Sequence, residues 1–138
     1  MRRRNADASL PTSVLKVDQD CVPERDWLQD YIRLVIMVCR WYQVKVLSIK
    51  TCLSRLKGVH YYIAVSPAVD ALLANKLQYL VGDDAQRVSY NKARIASKLV
   101  EWSKLFEKPD CKLRTIYRSN ESSLPHRHHT QRLRGFGL

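Results

Sequence analysis

Two aspartates near the amino-terminal end have the residue type and spacing of a divalent-metal site. Asp18 and Asp20 close a short segment in which apolar and polar residues alternate. In a strand, residues two apart project from the same face, with roughly 7 Å between their Cα atoms. Two such carboxylates repel each other, and an oxygen-ligated Mg²⁺ or Mn²⁺ relieves that repulsion. The alternative is a strand end whose polar residues simply face water.

A second set of polar residues lies between residues 53 and 61. Ser54 and Lys57 lie in a turn that contains Gly58, and His60 follows on the return strand. A hydroxyl, an ammonium and an imidazole placed together can hold phosphate oxygens. The alternative is a single histidine whose ring is satisfied by a neighbouring carbonyl group.

The hydrophobic periodicity predicts the elements that position these residues. We expect strands at Val14–Asp20, Val44–Leu53, Val59–Val65 and Lys112–Tyr117, and helices at Pro23–Tyr42, Pro67–Val81 and Ala85–Glu107. The order β-α-β-β-α-α-β predicts an α+β fold, a ferredoxin/RRM-like antiparallel sheet with the helices on one face. The open face would then carry Asp18, Asp20 and His60 together. Residues 1–12 are predicted to be a basic arm, 13–117 a single domain and 118–138 a basic tail.

The two motifs together resemble the catalytic core of the archaeo-eukaryotic primase superfamily. The matching stretches are Val17–Asp20, with its D-x-D, and Thr51–Ile63, with a Ser-Gly turn leading to His60. The resemblance implies that Asp18 and Asp20 hold metals and that Ser54, Lys57 and His60 bind the triphosphate of a nucleoside triphosphate. The implied reaction is nucleotidyl transfer.

The chain departs from the family's pattern in its turn and in its acidic residues. Arg55 stands where the family often has glycine. No carboxylate occupies an obvious third position on a later strand, so Asp83, Asp84 or Asp110 would have to serve. The stretch Leu80–Arg87, with Asn91, Arg94 and Trp102–Glu107, also looks like a small family found in archaea and their viruses and plasmids. The alternative for Gly82–Asp84 is a helix C-cap followed by the N-cap of the next helix.

The charge balance points to a polyanionic partner. The chain has 24 Lys and Arg against 13 Asp and Glu, a net charge of +11 and a pI near 9.8. DNA or RNA is the first expectation and a membrane surface the second, and a solvated basic coat is the alternative to both. Arg55, Arg87 and Arg94 are the predicted phosphate contacts. A non-catalytic DNA- or RNA-binding protein on the same fold is therefore the second functional hypothesis.

Several other classes are disfavoured by the sequence. His60 has no partner histidine two residues away, which argues against a His-hydrophobic-His nuclease. The cluster His126–His129 is interpreted as part of the basic tail. The four cysteines show no metal-binding spacing, so we expect them to be reduced, which favours a cytoplasmic location. No apolar run approaches the ~20 residues of a membrane span, so no membrane partner is expected. The oligomeric state is not determined by the sequence.

Overall fold

The elements follow the predicted order in a computed structural model that describes residues 11–19, 25–53, 58–105 and 112–120. They are β1 (Thr12–Gln19), α1 (Arg25–Trp41), β2 (Lys45–Leu53), β3 (Val59–Val69), α2 (Ala71–Leu80), α3 (Ala85–Ala96) and β4 (Arg114–Arg118). The predicted α+β class and the order β-α-β-β-α-α-β are confirmed. The predicted arm and tail lie almost entirely outside the described residues.

The four strands form one antiparallel sheet in the order β1-β3-β2-β4. α1 connects β1 to β2, and β3 lies between those two strands, which is the split β-α-β arrangement of ferredoxin-like folds. β4 pairs with β2. β1 is consequently an edge strand, and the groups on its outer side need partners from elsewhere.

The alternation of side chains places the core on one face of the sheet. Leu15 and Val17 of β1 and Tyr61 and Ile63 of β3 are fully buried there, and residues of α1 and α2 complete the same apolar cluster. Tyr31 of α1 stacks on Tyr61 with 4.1 Å between ring centroids. Lys16 and Asp18 therefore lie on the opposite face, as the sequence pattern predicted.

The start of α2 differs from the prediction. β3 continues through Pro67 to Val69, and the Ser66–Pro67 peptide bond is cis. The helix begins after Asp70, whose carboxylate accepts a hydrogen bond of 2.8 Å from the amide of Leu73. Proline suits a helix start but is also tolerated in a strand where its missing N–H is not required. An aspartate cap three residues later sets the boundary instead.

The end of α3 also differs from the prediction, which extended this helix to Glu107. The helix ends at Ala96, Ser97 caps it, and Lys98 takes a left-handed conformation with φ 59°. This turn redirects the chain, so Trp102 and Ser103 reach the interior from a turn rather than from a helix. Leu99, which the prediction included in the helix, lies after this turn and is exposed.

The cysteines do not all behave as expected. Cys39 is free and buried in the core, where burial raises the pKa of its thiol to about 11. Cys52 is disulfide-bonded, and Cys21 and Cys111 lie outside the described residues. The expectation of four reduced cysteines is therefore wrong at Cys52. The cysteines no longer support a reducing compartment, because disulfides are commoner in oxidising ones.

Gly82 makes the corner between α2 and α3 possible. Its φ is +105°, and a Cβ at this position would overlap the amide nitrogen of the Gln19 side chain. Asp84 then caps α3 by accepting from the amide of Arg87 at 3.1 Å. The interpretation of Gly82–Asp84 as a C-cap followed by an N-cap is confirmed.

We expect Gly82→Ala to destabilise the fold by about 2 kcal/mol or more, since it combines positive-φ strain with overlap against a buried side chain. Urea denaturation measures the loss. The double variant Gly82→Ala/Gln19→Ala removes the overlap and leaves the strain, so it should lose less than the sum of the two single variants. Simple additivity would show that the Gln19 contact is not the cause.

Candidate functional site

The outer edge of β1 is covered by the corner between α2 and α3. The amide of Lys16 donates to Gln78 Oε1 at 3.0 Å, and the amide of Asp18 donates to Asp83 Oδ1 at 2.9 Å. The carbonyl of Asp18 accepts from the amide of Asp84 at 3.2 Å, and that of Lys16 lies 3.5 Å from Arg87 Nη2. All four outward backbone groups of these two residues are thereby satisfied without another strand.

A buried ion pair holds this corner together. Arg87 Nη1 lies 3.5 Å from Asp83 Oδ2, and the Asp83 side chain is completely inaccessible to solvent. Arg87 Nη2 also donates to the carbonyl and hydroxyl oxygens of Ser103, at 2.8 and 3.0 Å. The Ser103 hydroxyl donates to Gln78 Oε1 at 3.2 Å. The network therefore joins β1, both helices and the turn after α3.

Burial governs the protonation of this pair. Desolvation raises the pKa of the Asp83 carboxyl above its usual value, opposed by the positive charge of Arg87 and by the amides of Asp18 and Asp84. Desolvation likewise lowers the pKa of Arg87, opposed mainly by Asp83. Each charge is costly to bury alone, so each depends on the other.

A second set of polar contacts fastens α2 to α3. Asn91 is fully buried and donates to Asn75 Oδ1 at 3.0 Å, while Asn75 donates to the carbonyl of Val88 at 3.1 Å. Arg94 donates to Asn91 Oδ1 at 3.0 Å from the surface. Asn91 therefore joins the two helices, and Arg94 contacts it from within α3.

Asp18 and His60 meet on the open face of the sheet. They are direct cross-strand partners in the β1–β3 register, and His60 Nε2 lies 3.5 Å from Asp18 Oδ1. Because the backbone of Asp18 bonds outward to the corner, this is a non-hydrogen-bonded pair, the type in which side chains approach most closely. The Asp18 side chain is 38% exposed and the His60 side chain is 21% exposed. Solutes can therefore reach both groups.

The next row on the same face is basic and aromatic. Tyr62 of β3 lies between Lys16 of β1 and Lys50 of β2, each its direct cross-strand partner. Thr115 of β4 pairs with Lys50 and extends the row. Tyr62 is partly exposed and Lys50 is exposed. We call Lys16, Tyr62 and Lys50 the central row.

The predicted site residues separate into three groups. Asp18 and His60 come together as expected. Asp20, Ser54, Arg55, Lys57 and Asp110 lie outside the described residues, so their roles stay predictions. The remaining predicted residues, Asp83, Asp84, Arg87 and Arg94, belong to the corner or to α3.

The residues of the third group have structural partners. Asp83 is buried against two backbone amides and Arg87, and Asp84 caps α3. These contacts argue against Asp83 as a metal ligand, since its oxygens are occupied and shielded from water. Arg87 points into the protein, which argues against a phosphate contact. Arg94 remains exposed and lies over the Tyr90 ring at 5.8 Å.

Sequence reasoning did not identify the central row or the partners in the corner. Strand alternation alone predicts that Lys16 and Tyr62 lie on the same face as His60. The central row could therefore have been predicted from the sequence. The roles of Gln78 and Ser103 depend on contacts between residues 25 positions apart, and periodicity carries no information about such contacts.

Comparisons with protein-family models, curated proteins and solved structures find no match to the chain. Within the described ranges, no three His, Cys, Asp or Glu side chains are grouped as a metal site would require. None of the helices in those ranges is long and apolar enough to cross a membrane. The primase-like resemblance and the metal therefore stay predictions.

The corner predicts unequal costs for two arginines on the same helix. Arg87→Met leaves the Asp83 charge buried and unpaired, so we expect a loss of about 3–5 kcal/mol in the free energy of unfolding. Arg94→Met, seven residues later on the surface, should cost less than about 1 kcal/mol. Urea denaturation compares them, and equal losses would contradict the structural role of Arg87.

Proposed function

We propose that this protein binds single-stranded nucleic acid on the open face of its sheet. The observation that carries the proposal is the central row, in which Tyr62 lies between Lys16 and Lys50 in direct cross-strand register. A tyrosine ring on a sheet offers a surface on which a base can stack, and lysines on either side can contact the flanking phosphates.

The geometry favours a single strand over a duplex. A base reaches a ring on a sheet surface only when it is not stacked and paired within a helix. Duplex binding would instead use phosphate contacts alone, which do not require Tyr62. The net charge of +11 supports either nucleic acid, since it attracts polyanions without distinguishing between them.

The proposal predicts a specific effect of the Tyr62 ring. Tyr62→Ala should weaken binding of a single-stranded oligonucleotide by roughly 5- to 150-fold, the equivalent of ~1–3 kcal/mol for one stacked base. Tyr62→Phe keeps the ring and should bind almost normally. Tyr79→Ala, which removes an exposed tyrosine from α2, is the matched control. Fluorescence anisotropy at fixed salt measures the affinities, and Lys50→Gln should reduce the salt slope by about 0.7 for a single strand.

Equal affinities of Tyr62→Ala and the unmodified protein would refute stacking at this row. Equal or tighter binding of a duplex of the same sequence would refute the preference for a single strand. Absence of binding even at low salt would remove nucleic acid from consideration altogether.

A second candidate function is metal-dependent nucleotidyl transfer, which the approach of Asp18 and His60 favours. A carboxylate and an imidazole lie 3.5 Å apart near the end of β1, and the resemblance to the primase superfamily implies roles for both residues in nucleotidyl transfer. Asp18 with Asp20 would hold Mg²⁺ or Mn²⁺, and His60 with Ser54 and Lys57 would bind the nucleoside triphosphate. The metal would neutralise phosphate charge during transfer.

This second candidate predicts primer extension by the purified protein with Mn²⁺ and nucleoside triphosphates. Asp18→Asn should abolish it, because the amide is a poor ligand for a hard cation, while Asp30→Asn, at an exposed carboxylate on α1, should not affect it. Binding alone requires no carboxylate here, so under the first proposal Asp18→Asn binds single strands at least as tightly. Extension that survives Asp18→Asn, or none in the unmodified protein, would exclude this reaction.

A further inference from the structure

α1 exposes a row of large apolar side chains along one margin of the side that packs on the core. Trp27, Met37 and Trp41 are 39%, 45% and 68% exposed, and Leu34 between them is half-buried. Positions 27, 34 and 41 are seven apart, so they lie on one side of the helix. The row spans about 21 Å, at 1.5 Å per residue. We call it the α1 stripe.

Arginines border this stripe. Arg33 and Arg40, also seven apart, form an adjacent exposed row, and Arg33 Nη1 lies 3.6 Å from Asp30 Oδ1. Tryptophan, methionine and arginine are the residues that protein interfaces favour over the rest of the surface. An apolar stripe with a positive border matches a partner that has apolar side chains beside carboxylates.

We propose that the α1 stripe docks an acidic amphipathic helix of another protein. Such a helix places its apolar side chains against Trp27, Met37 and Trp41 and its carboxylates against Arg33 and Arg40, where paired, charge-assisted hydrogen bonds form. Because α1 packs on the core face of the sheet, this surface is separate from the central row. The inference therefore does not depend on nucleic-acid binding.

Charge argues against two other occupants of the α1 stripe, namely the end segments of the chain itself and a second copy of the protein. Residues 1–10 contain three arginines and one aspartate, and residues 121–138 contain three arginines and one glutamate, so both ends are basic. A second copy would bring another net charge of +11 against the first and would face arginine with arginine. Like charges at an interface cost binding energy, whereas an acidic partner gains it.

The probe is a synthetic amphipathic peptide of about 15 residues, long enough to match the stripe, with leucine at heptad positions a and d and glutamate elsewhere. The same peptide with lysine in place of glutamate is the charge control. We expect only the glutamate peptide to bind the full chain, with a blue shift in tryptophan emission as Trp27 and Trp41 leave water. Calorimetry measures the affinity.

Substitutions locate the surface. Met37→Glu should weaken binding of the glutamate peptide at least ~10-fold, the loss expected when a central apolar contact is removed. Arg40→Glu should weaken binding and reduce its salt dependence. Leu72→Glu, at an exposed leucine on α2, should change the affinity less than about 2-fold, within the range of an ordinary surface substitution. Circular dichroism and urea denaturation confirm that each variant is folded.

Four outcomes would overturn the proposal. They are no binding of the glutamate peptide, equal binding of the lysine peptide, a molecular mass that rises with concentration and returns to the monomer value in Trp41→Glu, and insertion of Trp27 and Trp41 into phosphatidylserine vesicles. The third would identify a second copy as the occupant, and the fourth a lipid surface. Oligonucleotide binding that persists in Met37→Glu separates this result from the test of the central row.

Discussion

The outward backbone groups of Lys16 and Asp18 bond to the side chains of Gln78, Asp83 and Arg87 and to the amide of Asp84, and the arrangement of the domain depends on these bonds. The unpaired N–H and C=O groups of an edge strand form hydrogen bonds either with another chain or with water. Here the corner between α2 and α3 takes the place of a fifth strand. It also fixes the backbone of Asp18, whose side chain faces His60 on the neighbouring strand β3.

The contacts of the corner explain why two residues whose side chains could take part in chemistry have structural roles instead. Asp83 and Arg87 are charged, but desolvation makes each one dependent on the other. A carboxylate that accepts from two backbone amides and faces a buried guanidinium has little capacity left for a metal or a substrate. Asp83 instead positions Asp18. Asp83, one of the three candidates for the third acidic residue of the primase-like resemblance, thus has a structural role beside the open face, while the candidate Asp110 lies outside the described residues.

Sequence reasoning succeeded where a local pattern decides the structure. Alternation in β1 and β3 was sufficient to place Leu15 and Tyr61 in the core and His60 on the other face. It failed where the outcome depends on competing local signals or on distant contacts. Pro67 suits a helix start, yet the Asp70 cap prevailed. α3 ends at Ala96, and Lys98 takes the left-handed conformation after it. Glycine is the usual sequence signal for such an end, and none is present there. The burial of Arg87 depends on Ser103, and the bonded state of Cys52 depends on another cysteine.

Asp18 takes part both in the contacts of the corner and in the open face of the sheet. Its backbone belongs to the edge of β1, while its carboxylate lies on a face whose next row carries Lys16 and Lys50. A negative charge there opposes the binding of phosphates, so a surface built only to attract a polyanion has no use for it. The neighbouring imidazole of His60, 3.5 Å away, can offset that charge when protonated, and a bound cation would do so more completely. The same residue therefore separates the two functional proposals, because its carboxylate hinders simple binding and is required for metal-dependent transfer.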